Sequence, residues 1–160
     1  MTNIYFSIIN KIDALSTNAA AGPDGVPAVL LKKCKRSLAE GLEVLFKKFL
    51  KDGNIPHIMK LAFVIPVHKG GSRGKPANFC PVSITSHIMK TLERLVRESI
   101  VNHLEINGKV NPNQHGFRRN RSCLSQLLEH HDKVLKYLEE GNNVDCTYID
   151  FAKAFDKVNI

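Results

Sequence analysis

The chain has no tryptophan, and aromatic residues make up only 7% of its 160 residues. Its four cysteines lie far apart and form no Cys-x-x-Cys pair, so the ligand spacing of a zinc site is absent. No apolar run is long enough to span a membrane, and residues 1–10 lack the basic start of a signal peptide. These absences argue against a zinc protein and a membrane protein. They predict an intracellular protein, nuclear or cytoplasmic, with reduced thiols.

Acidic residues are also scarce, with 15 Asp and Glu against 23 Lys and Arg, which gives a formal net charge of +8. Nucleic acid is the first partner to consider for such a chain, because Lys and Arg neutralise phosphates. A basic surface with no such partner is the alternative. The apolar content of 43% and the charged content of 24% are typical of one globular domain with a modest core.

The first third of the sequence has a helical pattern. Residues 4–15 carry apolar side chains at helical spacing, and a turn follows at Pro23-Asp24-Gly25. A second helix is expected from Pro27, which is the favoured first-turn position. A capping-box pattern at Ser37 precedes an apolar stripe that ends near Gly53.

The rest of the chain mixes strands with helices. Short apolar runs at residues 61–67 and 81–85 flank a flexible basic segment and predict a β-ribbon. Helices are expected at residues 86–107 and 122–140, each stopped by a glycine. A last apolar run at residues 144–151 predicts a strand with neighbours on both faces. The fold class is therefore α+β.

The predicted last strand carries an aspartate at its end. Asp150 follows Thr147-Tyr148-Ile149 and could place an oxygen ligand on a divalent metal, as polymerases do with paired Mg²⁺ ions. One carboxylate does not complete such a pair. The alternative is that Asp150 caps a short helix through residues 152–158, since Asp is a favoured N-cap residue.

Several upstream segments occur in a fixed order before Asp150. They are Ala21-Gly22-Pro23-Asp24-Gly25-Val26-Pro27, Phe63-Val64-Ile65-Pro66-Val67-His68-Lys69-Gly70-Gly71, Asn78-Phe79-Cys80-Pro81-Val82-Ser83-Ile84-Thr85-Ser86 and Gln114-His115-Gly116-Phe117-Arg118. Together with the segment at Asp150 they resemble the reverse transcriptase domain of non-LTR (LINE-type, jockey-like) retrotransposons.

The resemblance implies a partial reverse transcriptase domain. Residues from about 1 to 142 would form helix-rich fingers with a short β-ribbon, and residues 143–160 would begin the palm with its first strand. The second catalytic motif of the family, a Tyr-x-Asp-Asp hairpin, does not occur in the 160 residues. The family's partners are an RNA template, a DNA primer and deoxynucleoside triphosphates. The resemblance implies no membrane partner, and the sequence does not indicate an oligomeric state.

The resemblance also implies site residues around the metal and the nucleotide. Asp150 would be the catalytic residue and would bind Mg²⁺, and the backbone of Phe151 would lie at the metal. The nucleotide would be contacted by Lys69, Arg73, Phe151, Ala152 and Phe155. For the basic residues the alternative is a solvated turn, and for Phe155 it is core packing.

A second set of residues would contact nucleic acid near the template strand. Basic residues before a helix oppose its macrodipole, so phosphate contact explains them better than helix stability does. An exposed loop is an equal alternative. His115 is predicted to be structural. The residues in this set are Gln114, Gly116, Arg118, Arg119 and Arg121.

One position departs from the family pattern. The family has an arginine where this chain has Cys80, and a neutral thiol does not replace a guanidinium group at a phosphate. Because the Tyr-x-Asp-Asp motif does not occur in these 160 residues, we interpret the chain as a fragment of an RNA-directed DNA polymerase that is inactive alone. The alternatives are a non-catalytic nucleic-acid-binding module and an inert relic of a retroelement.

Overall fold

A computed structural model of the chain describes residues 4–151 and Ala154. The predicted α+β class is confirmed. Among the described residues, no helix is both long and apolar enough to cross a membrane. The elements are α1 (Ile4–Asp13), α2 (Ala28–Asp52), α3 (His57–Lys60), β1 (Ala62–His68), a 3-10 turn (Pro76–Asn78), β2 (Phe79–Thr85), α4 (His87–Ile106) and α5 (Cys123–Glu139).

The chain divides into two compact units, Met1–Asn107 and Gly108–Ile160. In the first unit, α1 packs against α2 and α4. Apolar side chains at helical spacing supply the core, as amphipathic helices require. The buried core residues are Ile8, Ile12, Leu15, Ala28, Leu31, Ala39, Leu42, Phe46, Phe49, Met89 and Leu92.

Helix α2 is longer than its sequence signals suggest. It begins after Pro27 and ends at Gly53, whose φ of 64° is the left-handed conformation expected of a C-terminal glycine. The capping-box pattern at Ser37 does not begin a helix, because Ser37 lies in the middle of α2. Leu31 and Ala39 are both buried in the core, on either side of this stretch, and Leu38 packs against it, so one continuous helix brings these side chains to the core.

Strands β1 and β2 form the predicted antiparallel ribbon. Ala62 pairs with Thr85 at one end, and His68 pairs with Phe79 at the other, beside the connecting loop. Most residues of both strands are exposed in the central part of the ribbon. The ribbon therefore contributes no side chain to the buried core of the helices.

The second unit consists of loops and α5. Within its described residues only His115 is buried. The predicted strand at residues 144–151 is wrong, because these residues have no regular secondary structure. A strand requires a hydrogen-bonding neighbour, and an apolar run without one has no ladder to join.

Candidate nucleic-acid interface

Residues 114–121, which we call the arginine loop, form consecutive turns immediately before α5. Ser122 ends the loop and caps α5, since its hydroxyl accepts the backbone N–H of Ser125 at 3.1 Å. The Ser125 hydroxyl accepts the backbone N–H of Ser122 at 2.9 Å in return. This reciprocal pair fixes the junction of loop and helix.

His115 anchors the arginine loop to α5. Its Nδ1 lies 2.7 Å from the Ser125 hydroxyl, and its Nε2 lies 2.8 Å from Oε2 of Glu129. Nη1 of Arg121 also lies 2.8 Å from Nε2. A buried imidazole with polar contacts at both nitrogens holds its surroundings in one arrangement. These contacts indicate a structural role for His115.

Glu129 completes this anchor. Hydrogen bonds from Lys133 and His115 lower the pKa of Glu129 below its ordinary value, so the carboxylate is charged at neutral pH. Nζ of Lys133 lies 2.7 Å from Oε1, and Nη1 of Arg121 lies 3.7 Å from Oε2. Arg121 is thus oriented by an internal ion pair.

The other predicted residues of the loop differ in exposure. Arg119, Gln114 and Gly116 are exposed, and Arg118 is half-buried and donates to the backbone carbonyl of Asn111 at 3.3 Å. The structure therefore brings the predicted nucleic-acid-binding residues into one loop. Arg121 contacts the anchor through His115 and Glu129.

Phe117 belongs to the same loop, and the sequence-based site did not include it. Its φ of 61° is in the left-handed region, and the side chain is 84% exposed. The sequence offered one signal, an aromatic residue between Gly116 and Arg118.

The loop between β1 and β2, residues 69–78, is the ribbon loop. The backbone N–H of Lys69 donates to the carbonyl of Asn78 at 2.8 Å, and the Asn78 side-chain amide donates to the carbonyl of Ser72 at 2.8 Å. Gly71 has a φ of 78°, and a Cβ there would lie 2.9 Å from Nδ2 of Asn78. The positive φ favours glycine at this position.

The ribbon loop presents exposed cations. Lys69, Arg73 and Lys75 all lie on its surface. Cys80 is half-buried on β2, opposite Val67, next to the end of the ribbon that carries the loop. The predicted nucleotide-binding residues Lys69 and Arg73 therefore share one loop, while the position of the missing arginine lies in the adjacent strand.

The segment at residues 21–27 joins the start of α4. The Ser86 hydroxyl donates to Oδ2 of Asp24 at 2.5 Å and accepts the backbone N–H of Ile88 at 3.1 Å. Gly22 is buried, and a Cβ there would lie 2.6 Å from the backbone nitrogen of Ser86. This motif therefore fixes the end of the ribbon and the beginning of α4.

Asp150 and Phe151 lie in the irregular segment that ends the described chain, and both are exposed. Nearby, the Tyr148 hydroxyl lies 3.3 Å from Nε2 of His130. Ala152 and Phe155 lie outside the described residues.

No group of three or more metal-ligating side chains occurs among the residues that the structure describes. A polymerase metal pair needs several oxygen ligands. This stretch alone therefore does not supply a complete Mg²⁺ donor set.

No protein-family model matches the chain. Similar proteins of Drosophila melanogaster are a probable RNA-directed DNA polymerase from transposon X-element, 28% identical over 89% of this chain, and another from transposon BS, 26% identical over 94%. The RNA-directed DNA polymerase from mobile element jockey is 24% identical over 93%. The chain spans only 16–17% of the length of these relatives. The predicted resemblance to reverse transcriptases of non-LTR retrotransposons is confirmed.

Proposed function

We propose that this chain, a homologue of the reverse transcriptases of non-LTR retrotransposons, forms the part of such an enzyme that contacts the RNA template and the incoming nucleotide. The observation that carries the proposal is sequence similarity to these polymerases over most of the chain. In this proposal residues from about 1 to 142 are the fingers, and residues 143–160 begin the palm. The complete enzyme copies RNA into DNA from a primer.

The ribbon loop is assigned to the triphosphate of the nucleotide. Lys69 and Arg73 are exposed on a loop whose backbone is held by internal hydrogen bonds, so they can approach phosphate oxygens from a defined position. Charge-assisted hydrogen bonds to phosphate are among the strongest that side chains make. Cys80 provides no such charge, which weakens this site relative to that of its family.

The arginine loop is assigned to the template strand. Arg118 and Arg119 lie beside one another, and the anchor at His115 fixes the backbone that carries them. Contacts of this kind bind phosphates without reading sequence. We therefore expect salt-sensitive binding that is largely independent of sequence.

Asp150 is assigned to Mg²⁺ in the complete enzyme, with the backbone of Phe151 beside it. When bound, the paired metal ions stabilise the attacking and leaving oxygens of nucleotide transfer. The chain's own part is to supply one exposed carboxylate. Ala152 and Phe155 are assigned to the nucleotide.

A binding assay tests the proposal on the 160-residue chain. Arg118→Gln combined with Arg119→Gln should weaken binding to single-stranded RNA and reduce the slope of log affinity against log salt by about 1.4, since each lost phosphate contact removes roughly 0.7. Lys33→Gln combined with Arg36→Gln removes the same charge from exposed positions of α2 and serves as the control. Equal effects of the two double variants would contradict the assignment of the arginine loop.

A second candidate function is a nucleic-acid-binding module without catalysis. Cys80 in place of the family arginine favours it, since the basic loops remain while a nucleotide contact is lost. This chain alone should show RNA binding and no primer extension in either case. The two functions differ only when the downstream residues of a related polymerase are added.

A further inference from the structure

Phe117 has an unusual backbone conformation for its residue type. Its φ is 61°, and among the described residues the only other non-glycine residue with a positive φ is Asn120. Asparagine tolerates the left-handed region because its short polar side chain bonds locally, whereas a bulky aromatic residue there is an outlier. Gly116, which would adopt the conformation readily, stands immediately before Phe117 and does not have it.

Contacts on both sides of Phe117 hold this conformation. Before it, His115 is buried and contacts Ser125 and Glu129. After it, Arg118 donates to the carbonyl of Asn111. Strained residues persist where the surroundings fix them, and they cluster at sites that bind ligands.

The side chain of Phe117 lies at the surface of this unit. Phe117 is 84% exposed, so its ring adds little to the packing of this unit. Arg118 and Arg119 follow it directly, which places a flat apolar surface beside phosphate-binding groups.

We propose that Phe117 is a stacking platform for an unpaired base of the single-stranded nucleic acid held by the arginine loop. This inference rests on the proposed function and adds a residue that positions the template. Base stacking on aromatic rings accepts every base, because each has a π-face. A base within a duplex is already stacked on its neighbours, so the contact favours single strands.

Removal of the ring tests the inference on the whole 160-residue chain. Phe117→Ala and Phe117→Gly should raise the Kd for a short single-stranded RNA roughly five- to 150-fold, as expected for the loss of one stacked base. The salt slope should not change, since no charge is lost. Affinity for the same sequence in an RNA–DNA duplex should change much less. Phe6→Ala removes another exposed phenylalanine, on α1, and should leave binding unchanged.

The glycine variant separates stacking from a structural role. Glycine adopts a positive φ without strain, so Phe117→Gly should melt at the same temperature as the parent chain or higher. A ring that supported the fold would give a lower Tm instead. A clear loss of Tm with unchanged RNA binding would overturn the inference.

A tryptophan at the same position reports the stack directly. The chain has no tryptophan, so Phe117→Trp introduces a single fluorophore. Its emission should be quenched by single-stranded RNA, and RNA affinity should be kept. An unquenched emission at saturating RNA would overturn the inference.

The outcomes also separate this inference from the proposed function. Binding that depends on Arg118 and Arg119 but not on Phe117 would leave the function standing and overturn the stacking role. A parent chain that does not bind RNA even at low salt would overturn both. Binding of an apolar peptide, but not RNA, at Phe117 would mark a protein-docking surface instead.

Discussion

At the scale of single residues, the contact between Gly22 and the start of α4 is the tightest that the described glycines make. A Cβ at Gly22 would lie 2.6 Å from the Ser86 nitrogen and 2.7 Å from the Thr85 carbonyl carbon. These are backbone atoms, which cannot move aside as a flexible side chain can. The adjacent Asp24 then bonds to the Ser86 hydroxyl. The sequence predicted a turn here, but it did not show that Asp24 would bond to Ser86, 62 residues further along the chain.

Gly22→Ala should therefore destabilise the first unit. Overpacking typically costs about 1–3 kcal/mol, and contact with backbone should place this variant near the upper end. Gly41→Ala is the matched control, because Gly41 lies in α2 with nothing within 4 Å of its Cβ position. It should stabilise by up to about 1 kcal/mol through helix propensity. Urea unfolding measures both, and a neutral Gly22→Ala would show that the contact relaxes freely.

The folding stability of the same region should depend on pH through His87. The ring is buried, and within the described part of the chain neither nitrogen has a hydrogen bond of good geometry, although the backbone of Ala19 is close enough to influence its pKa. Burial, then repulsion from Lys90, lowers the pKa of His87 below 6.5, while Asp24 and the backbone of Ala19 oppose the shift. The unfolded chain thus binds a proton that the folded chain resists. Stability is full above pH 6.5 and falls as the pH drops towards the lowered pKa.

His87→Leu should remove this dependence. The unfolding free energy of the parent should fall between pH values of about 7.5 and 5.5, and the variant should lose less over this interval. Leucine also removes two buried polar atoms, so the variant should be as stable as the parent or more stable at the lower pH. His57→Leu is the control at an exposed histidine. Parallel pH profiles for the parent and His87→Leu would contradict the prediction.

At the scale of elements, sequence patterns predicted those helices and strands that local interactions determine. The ribbon and helices α4 and α5 were expected within a few residues of their observed bounds, because caps, glycines and apolar periodicity act over short distances. A strand at residues 144–151 would need a hydrogen-bonded neighbouring strand, and a local sequence pattern does not show whether one is present. The strained φ of Phe117 likewise depends on the anchor at His115, whose contacts on α5 lie at positions that sequence spacing did not connect.

Helices α4 and α5 begin with the same kind of cap but should respond differently to its loss. Ser86 is buried and also bonds to Asp24, so Ser86→Ala should cost more than the typical value of about 1 kcal/mol for an N-cap. Ser122 is exposed and caps a helix with no buried residue. Ser122→Ala should therefore cost about 1 kcal/mol, confined to α5.

Hydrogen exchange distinguishes these effects. Amides of α5 should exchange faster than those in the first half of α4, which contains Met89 and Leu92 in the core. Ser122→Ala should accelerate exchange in α5 further. Exchange in α5 that is as slow as in α4, or unchanged by the substitution, would refute the account of α5 as a helix held by its cap and surface pairs.

At the scale of the whole molecule, the described chain carries two basic loops and no complete set of metal ligands. The ribbon loop and the arginine loop expose cations, while the part of the chain described here contains no cluster of metal ligands. The relatives are about six times as long, as the covered share of 16–17% implies. Sequence motifs predicted which residues belong to which loop. The environment of Asp150 was not predictable, because a metal site requires residues from several segments.

Joining the downstream residues of a related polymerase to this chain tests the whole assignment. The 160-residue chain alone should not extend a primer, because one carboxylate does not hold two metal ions. The chimera should extend it, and Asp150→Asn should abolish the activity. Asp145→Asn changes an exposed carboxylate in the same segment; it is the control and should leave the activity intact.

Cys80→Arg in the chimera should raise kcat/KM for the nucleotide on the order of tenfold to a hundredfold, since a charge-assisted contact contributes about 1.5–3 kcal/mol. An active chimera that tolerates Asp150→Asn would show that the carboxylate has been misassigned.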